Sequence, residues 1–202
     1  MTEIGETVIR EASGLDRRDV VETLLRDRGD LLLVTGLGSP TYDAAAVEDH
    51  DANFYLWGAM GGAAMMGLGL ALAQPGRPVL VLTGDGEQLM GMGGLATIGV
   101  KQPANLSIVV LDNGHFGETG MQTSHTGYGL KLSDIAAQCG FADSVEIEDM
   151  TGVSLLRNRL HGNAAGPRFA TVRIAPTSPE RVLPSRDGVR IKNRFREHLG
   201  LT

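Results

Sequence analysis

Two short motifs in this chain place oxygen ligands for a cation at the ends of apolar segments. Gly84-Asp85-Gly86 follows the apolar run 79–83, and Asn113 follows the apolar run 106–111. If both runs are buried parallel strands, their carboxyl ends lie at one edge of a sheet, where such proteins bind ligands. A carboxylate and an amide oxygen held there suit Mg²⁺, which prefers octahedral oxygen coordination and usually shares its shell with phosphate. The flanking glycines allow backbone N–H groups to approach a diphosphate.

The elements that must position these motifs alternate along the chain. A helix is predicted through about residue 30, with Asp16 as its N-cap and an apolar face that includes Val20 and Leu24. Strands are predicted at 31–35, 79–83, 106–111, 144–147 and 168–174, helices at 58–73, 88–99, 133–139, 151–161 and 188–199, and mainly loop, with one small helix, at 36–57 and 112–130. This pattern predicts an α/β fold, a doubly wound parallel sheet with helices on both faces. We expect one domain over residues 1–202, with a short N-terminal helix and a C-terminal tail.

Composition narrows the class of protein. A net charge of −6 without a basic run argues against a nucleic-acid partner, and a single cysteine, Cys139, excludes an internal disulfide framework. The N-terminus has no signal-peptide pattern, so we expect a cytoplasmic protein. Residues 52–76 carry no charge and are long enough to span a bilayer, but the five glycines between 58 and 69 favour close backbone packing and we expect no membrane association.

The metal motif resembles the signature of thiamine diphosphate enzymes, in which GDG is followed by an asparagine at this spacing. The resemblance implies that Mg²⁺ binds the Asp85 carboxylate, the Asn113 side-chain oxygen and the backbone carbonyl of His115. Asp112 stands where the family usually has the first asparagine of a pair. Glu87 replaces a small residue that is common after GDG, and we expect it to turn away from the diphosphate or to cap the helix.

A second segment, Trp57-Gly58-Ala59-Met60-Gly61, resembles the part of this family that grips the aminopyrimidine ring of the cofactor. In that case the Gly58 carbonyl accepts a hydrogen bond from the 4′-amino group, and Met60 is the apolar wedge that bends the cofactor between its rings. Gly58 and Met60 are therefore the expected catalytic positions. The alternative is a glycine-rich helix start in which Met60 is an ordinary core residue.

A third segment is the glycine-rich loop 114–125, directly after the metal motif. The backbone around 117–119 is expected to contact the diphosphate, while Gln122, Thr123 or His125 could face the substrate; a plain surface loop is the alternative. The residues expected to bind cofactor are Gly58, Ala59, Met60, Gly84, Asp85, Gly86, Glu87, Asn113, His115, Gly117, Glu118 and Thr119.

The resemblance covers only the diphosphate-binding (PP) domain of such enzymes, roughly residues 15–175. The family also needs a glutamate on a pyrimidine-binding domain, for which no second α/β domain remains in 202 residues. A partner, a pyrimidine-binding (alpha) subunit, is therefore expected to complete the active site at a subunit interface. The runs 94–99, 112–123 and 191–195 look most like the β subunits of sulfopyruvate decarboxylase and the related phosphonopyruvate decarboxylase group.

The resemblance implies a lyase subunit that decarboxylates a small anionic 2-oxoacid, such as 3-sulfopyruvate, to CO₂ and an aldehyde. One alternative is carboligation by an acetolactate-synthase-like subunit, in which the same intermediate attacks a second carbonyl. Another is a non-catalytic subunit that keeps the cofactor pocket. The intact Asp85, Asn113 and Gly58 argue against the non-catalytic alternative.

Overall fold

Six parallel strands form one sheet in the order β2-β1-β3-β4-β8-β7 in the computed structural model, which describes residues 14–162 and 164–201. Every neighbouring pair in this sheet is parallel. A separate antiparallel ribbon is formed by β5 and β6. The strands are β1 (Leu32–Thr35), β2 (Asn53–Tyr55), β3 (Val79–Gly84), β4 (Leu106–Asp112), β5 (His115–Phe116), β6 (Gln122–Thr123), β7 (Asp143–Ile147) and β8 (Arg168–Arg173).

Helices cover both faces of the sheet because successive side chains of each strand point to opposite sides. Leu33, Leu80 and Leu82 pack into a core with the helices at 17–25, 39–47 and 150–160. Leu32 and Val81 pack into a second core with the helices at 63–73, 93–101 and 132–138. The predicted doubly wound α/β fold is therefore confirmed. The helices are α1 (Arg17–Leu25), α2 (Ser39–Val47), α3 (Ala63–Ala73), α4 (Asp85–Met90), α5 (Gly93–Lys101), α6 (Leu132–Gln138), α7 (Met150–Leu160) and α8 (Gly188–His198).

The first described helix begins as the sequence indicates. The Asp16 side chain accepts hydrogen bonds from the backbone N–H groups of Arg18 and Asp19, which caps α1. Val20 and Leu24 are fully buried on its inner face. Residues 1–13 of the predicted N-terminal helix lie outside the described residues.

Two predicted helices differ from the observed ones at glycines. The helix predicted from Gly58 begins only at Ala63, because Gly58 (φ 74°) and Gly61 (φ 85°) adopt left-handed backbone conformations that interrupt a right-handed helix. The helix predicted over 88–99 is two helices, α4 and α5, separated at Gly91. A Cβ on Gly91 would lie 2.1 Å from the carbonyl oxygen of Gly61, so these two turns are in direct backbone contact.

Short strands account for the remaining differences. Strand β2 has three residues at the edge of the sheet, inside a segment that was predicted to be loop and a small helix. The ribbon β5–β6 folds the glycine-rich segment after β4 back on itself, with two short 3₁₀ turns at Gly117–Thr119 and Thr126–Tyr128. Within the described part of the chain, no helix has the length and apolar character needed to cross a bilayer.

The strand order sets the position of a binding crevice. From β1 the chain moves to one side to form β2, and then returns past β1 to form β3 and β4. The direction therefore reverses between β1 and β3, and ligands of such sheets bind beyond the carboxyl ends of the strands at this reversal.

Helix α3 offers a matched pair of substitutions that tests its packing on the sheet. A Cβ on Gly67 would lie 2.2 Å from Cγ2 of Val81 in β3, whereas a Cβ on Gly69 would meet no atom within 4 Å. We expect Gly67→Ala to lower the free energy of unfolding by about 1–3 kcal/mol, because overpacking forces the helix off the sheet. Gly69→Ala should raise it by about 0.5–1 kcal/mol through helix propensity. Urea denaturation of both variants checks this, and a Gly67→Ala protein as stable as the wild type would contradict the packing.

Candidate functional site

A cavity lies beyond the carboxyl ends of the strands, at the reversal of strand order. Its walls come from the segments that follow β1, β2, β3, β4 and β8 and from the start of α1. Ten of the twelve residues predicted to bind cofactor line it: Met60, Gly84, Asp85, Gly86, Glu87, Asn113, His115, Gly117, Glu118 and Thr119.

Asp85 is held by two hydroxyl groups from the segment after β6. The hydroxyl of Ser124 donates a short hydrogen bond to Oδ2 of Asp85, and Oγ1 of Thr126 lies 3.1 Å from the same oxygen. Oγ1 of Thr126 is also 2.7 Å from Oδ1 of Asp112. Because one hydroxyl has a single hydrogen, Thr126 donates to one carboxylate at a time. These side-chain contacts fall on Oδ2 of Asp85, which leaves Oδ1 for a cation.

Two buried carboxylates share this end of the sheet. Asp85 and Asp112 are only 3% and 2% exposed. Burial, and after it the charge of Asp112, raise the pKa of Asp85 to about 6 against the opposing effect of the hydrogen bonds from Ser124 and Thr126. Arg173 pairs with Oδ2 of Asp112 and compensates that charge. Asp85 is therefore the carboxylate whose charge a bound cation would stabilise.

Asn113 and His115 form a tight turn at the end of β4. Oδ1 of Asn113 accepts a hydrogen bond of 2.9 Å from the backbone N–H of His115. The imidazole Nδ1 of His115 is 2.8 Å from the backbone carbonyl oxygen of Asn113, so the ring folds back on its own turn. A side-chain carbonyl has two lone pairs, so Oδ1 of Asn113 can accept this bond and still bind a cation. The Nδ1 atom of the His115 ring is occupied within this turn.

Glu87 lines the cavity, and its carboxylate also contacts the ends of β1 and β3. Its Oε2 accepts a hydrogen bond of 2.6 Å from the hydroxyl of Thr83, and a Cβ on Gly36 would lie 1.4 Å from the same oxygen. The backbone N–H groups of Gly61 and Ala63 also face this carboxylate and partly offset the rise in pKa that burial causes. Glu87 thus connects the ends of β1 and β3 beside the turn before α3.

The turn that carries Met60 is fixed by glycine contacts and opens to solvent. Gly61 packs against Gly91, which holds the turn beside the end of α4. Met60 lines the cavity and is 46% exposed. Gly58 and Ala59 do not line the cavity but lie exposed in the same turn, and a Cβ on Gly58 would meet no atom within 4 Å.

The glycine-rich loop contributes its first half to the cavity. Phe116 lines the wall, and its ring lies 2.8 Å from a Cβ placed on Gly86, so only glycine fits at Gly86. Gln122 contacts Thr119 through both its side-chain oxygen and its nitrogen, and the His125 ring packs edge-on against Phe116. None of the three side chains expected to face substrate, Gln122, Thr123 and His125, lines the cavity.

Several residues of the site were not predicted from the sequence. Leu37, Ser39 and Pro40, which follow β1, line the cavity together with Arg17 and Ile174. The Gly-Ser-Pro sequence at 38–40 is a recognisable loop-to-helix signal, since Pro40 lies in the first turn of α2. Arg17 and Ser124 have no such local signal, because tertiary contacts alone bring them to Asp85 and Asn113.

The residues of the cavity fit a diphosphate with a hard cation. The donor set is a carboxylate oxygen and an amide oxygen, which Mg²⁺ accepts. Gly84 lines the cavity, and a Cβ on it would meet no atom within 4 Å, so the backbone there leaves open space for a ligand. The described residues contain no group of three or more His, Cys, Asp or Glu side chains suited to a metal ion. A cation at this site therefore depends on ligand oxygens and water to complete its shell.

Comparison with known proteins places this cavity in a family. Residues 37–161 match the family of the thiamine pyrophosphate enzyme, C-terminal TPP binding domain. The chain is 34% identical to the sulfopyruvate decarboxylase subunit beta of Methanothermobacter thermautotrophicus over 90% of this chain and 94% of that one. It is 41% identical to the phosphonopyruvate decarboxylase of Streptomyces viridochromogenes over 65% of this chain but 33% of that longer chain.

The similarity extends to solved structures. The benzoylformate decarboxylase of Polynucleobacter necessarius superposes with a TM-score of 0.65 at 19% identity, over 83% of this chain and 34% of that chain. At this identity the likeness establishes the fold alone.

Proposed function

Because the chain belongs to the thiamine pyrophosphate enzymes through their C-terminal TPP-binding domain, we propose that it is the diphosphate-binding (beta) subunit of a two-subunit 2-oxoacid decarboxylase. The substrate is 3-sulfopyruvate or a related anionic pyruvate derivative, as in the names of its relatives. The family and carboxy-lyase class predicted from the sequence are confirmed by these relatives. The observation that carries the proposal is the joint placement of Asp85 and Asn113 in one cavity at the strand ends.

Mg²⁺ and the cofactor diphosphate are assigned to the metal motif. The Asp85 carboxylate, the Asn113 side-chain oxygen and the His115 backbone carbonyl are the proposed metal ligands. Oδ1 of Asp85, free of side-chain hydrogen bonds, supports this assignment. The backbone of Gly84, Gly86 and Gly117–Thr119 surrounds the diphosphate, and Glu87 acts indirectly by holding the turn before α3.

The reacting end of the cofactor is assigned to the Met60 turn. When bound, the cofactor supplies an electron sink for the bond that breaks as CO₂ leaves. The Gly58 carbonyl accepts a hydrogen bond from the aminopyrimidine, and Met60 sets the angle between the two rings. Phe116 and Leu37 exclude water from the apolar part of the cavity, which strengthens the electrostatic interactions inside it.

An acid from another polypeptide completes this site. The acids that line the cavity each have another partner: Asp85 holds the metal, Glu87 accepts from Thr83, and Glu118 pairs with Arg181 at 3.1 Å. The proposed alpha subunit supplies the acid that activates the aminopyrimidine.

Five exposed methionines lie beside the site, and we call them the methionine patch: Met60, Met65, Met66, Met90 and Met92. The patch supports a partner subunit that docks next to the cavity. The patch is 37–66% exposed and surrounds the contact between Gly61 and Gly91. Exposed apolar surface of this kind marks protein interfaces.

The function is tested on the purified two-subunit complex with thiamine diphosphate and Mg²⁺. We expect it to consume 3-sulfopyruvate and to release CO₂ and one aldehyde in equal amounts, measured by coupled CO₂ detection and aldehyde derivatisation. Pyruvate is the matched control, since it lacks the second anionic group. If added aldehyde is converted to an acyloin and no free aldehyde is released, the function is carboligation, in which the intermediate left after CO₂ loss attacks a second carbonyl. A complex that leaves every anionic 2-oxoacid intact would contradict the proposal.

A further inference from the structure

Arg17 is a buried cation at the edge of the cofactor cavity. It is the first residue of α1, and the preceding Leu15 pairs with Ile174 just beyond β8, which brings the start of α1 to the carboxyl end of the sheet. The Arg17 side chain is 4% exposed, and its Nε donates a hydrogen bond of 2.5 Å to Oδ2 of Asp43. A guanidinium can donate five hydrogen bonds, so this contact uses only one of them.

Hydrogen bonds to the described residues use only Nε of the Arg17 guanidinium. Among the described residues, neither terminal nitrogen of its guanidinium makes a hydrogen bond, although Arg17 lines the cavity together with Ser39 and Asn113. A bound anion would satisfy these donors in the bidentate geometry that guanidinium favours. The side chain is therefore arranged for an anion inside the cavity.

The local charge favours the same ligand. Asp43 is the carboxylate between two arginines, with Nε of Arg18 at 3.7 Å on its other oxygen. The Asp43 carboxylate is thus shared between the two guanidinium groups. Glu118, which lines both cavities, is already paired with Arg181.

The position of Arg17 separates it from the reacting end of the site. A second, smaller cavity adjoins the first and shares Arg17, Ser39 and Asn113 with it, but neither Met60 nor Gly84–Gly86 lines this second cavity. Arg17 thus lies on the side of the cavity away from Met60. If Met60 contacts the rings of the cofactor, the outer end of the diphosphate must lie on this side. We propose that Arg17 binds the terminal phosphate of thiamine diphosphate and gives the chain its preference for the diphosphate over the monophosphate ester. This inference rests on the proposed function.

The test compares two ligands on two proteins. Isothermal titration with Mg²⁺ would measure the binding of thiamine diphosphate and of thiamine monophosphate to the two-subunit complex, with wild-type chain and with Arg17→Gln. We expect Arg17→Gln to weaken diphosphate binding about 10- to 100-fold, because a charge-assisted contact is lost. Binding of the monophosphate, which lacks the terminal phosphate, should not change.

Two further variants separate this role from a structural one. Arg190→Gln removes the same charge from an exposed position in α8, away from both cavities, and should leave both affinities unchanged. Arg17→Gln with Asp43→Asn replaces the buried ion pair by a neutral hydrogen-bonded pair, so it avoids an unpaired charge if Arg17→Gln alone fails to fold. It should show the same selective loss of diphosphate affinity.

Each other outcome has a definite meaning. Unchanged diphosphate affinity in the Arg17 variants, or an equal loss for both esters, overturns the role of Arg17. A wild-type complex that binds neither ester contradicts the proposed function itself, which distinguishes the two failures.

Discussion

Replacing Asp85 by asparagine is expected to abolish Mg²⁺-dependent binding of thiamine diphosphate without destabilising the fold. The substitution removes the one carboxylate that we assign to the metal and keeps the size of the side chain. Outer-shell partners of metal ligands typically contribute about 10–100-fold to metal affinity. The loss in Asp85→Asn should exceed that range, and isothermal titration of Mg²⁺ and cofactor would measure it.

The stability of Asp85→Asn distinguishes a functional residue from a structural one. The pKa of Asp85 is raised to about 6, which means that its ionised form is disfavoured in the folded protein relative to the unfolded chain. An uncharged asparagine removes that penalty at neutral pH. The thermal midpoint without cofactor should therefore stay the same or rise, as is common when a binding group is removed from a site.

Two matched variants complete this test. Ser124→Ala removes the hydroxyl that positions Asp85 but keeps the carboxylate. The affinity for Mg²⁺ and cofactor should therefore fall by about 10–100-fold. Asp134→Asn removes the same charge from an exposed position in the first turn of α6. It should change neither the affinity for Mg²⁺ nor the affinity for thiamine diphosphate. Full cofactor affinity in Asp85→Asn would contradict the metal assignment.

The two metal-motif residues could be predicted because their signal is local. The runs before Asp85 and Asn113 are apolar enough to be buried strands, and parallel strands end at the same edge of the sheet. The order of the strands then brings both residues to the reversal point. The same reasoning predicted the α/β fold and most helices and strands to within a few residues.

The parts that could not be predicted depend on contacts between distant residues. Arg17 reaches the cavity only because Leu15 pairs with Ile174, and Ser124 reaches Asp85 only because the ribbon after β4 folds back. The break between α4 and α5 follows from the approach of Gly91 to Gly61, which no helical periodicity reports. Strand β2 is only three residues long and depends on pairing with β1.

Turnover is expected to require a second polypeptide. The chain alone should bind thiamine diphosphate and Mg²⁺ weakly and should not consume 2-oxoacid, because the described acids of the cavity are already assigned to the metal, to Thr83 and to Arg181. Adding the separately purified alpha subunit should restore activity from background to its full value, with saturation at equal amounts of the two chains. A titration of one chain against the other, followed by CO₂ release, measures this.

Substitutions on the methionine patch locate where that partner binds. Met90 is 66% exposed, at the end of α4 beside the Gly61 turn, whereas Val100 is 83% exposed on α5 and lies outside the patch. Burying a glutamate in an apolar interface is costly, so Met90→Glu should weaken association and lower activity at limiting partner concentration. Val100→Glu should leave both unchanged, since it adds the same charge at a solvent-exposed position. Activity of this chain without any partner would place the activating acid within its own 202 residues and would contradict the shared site.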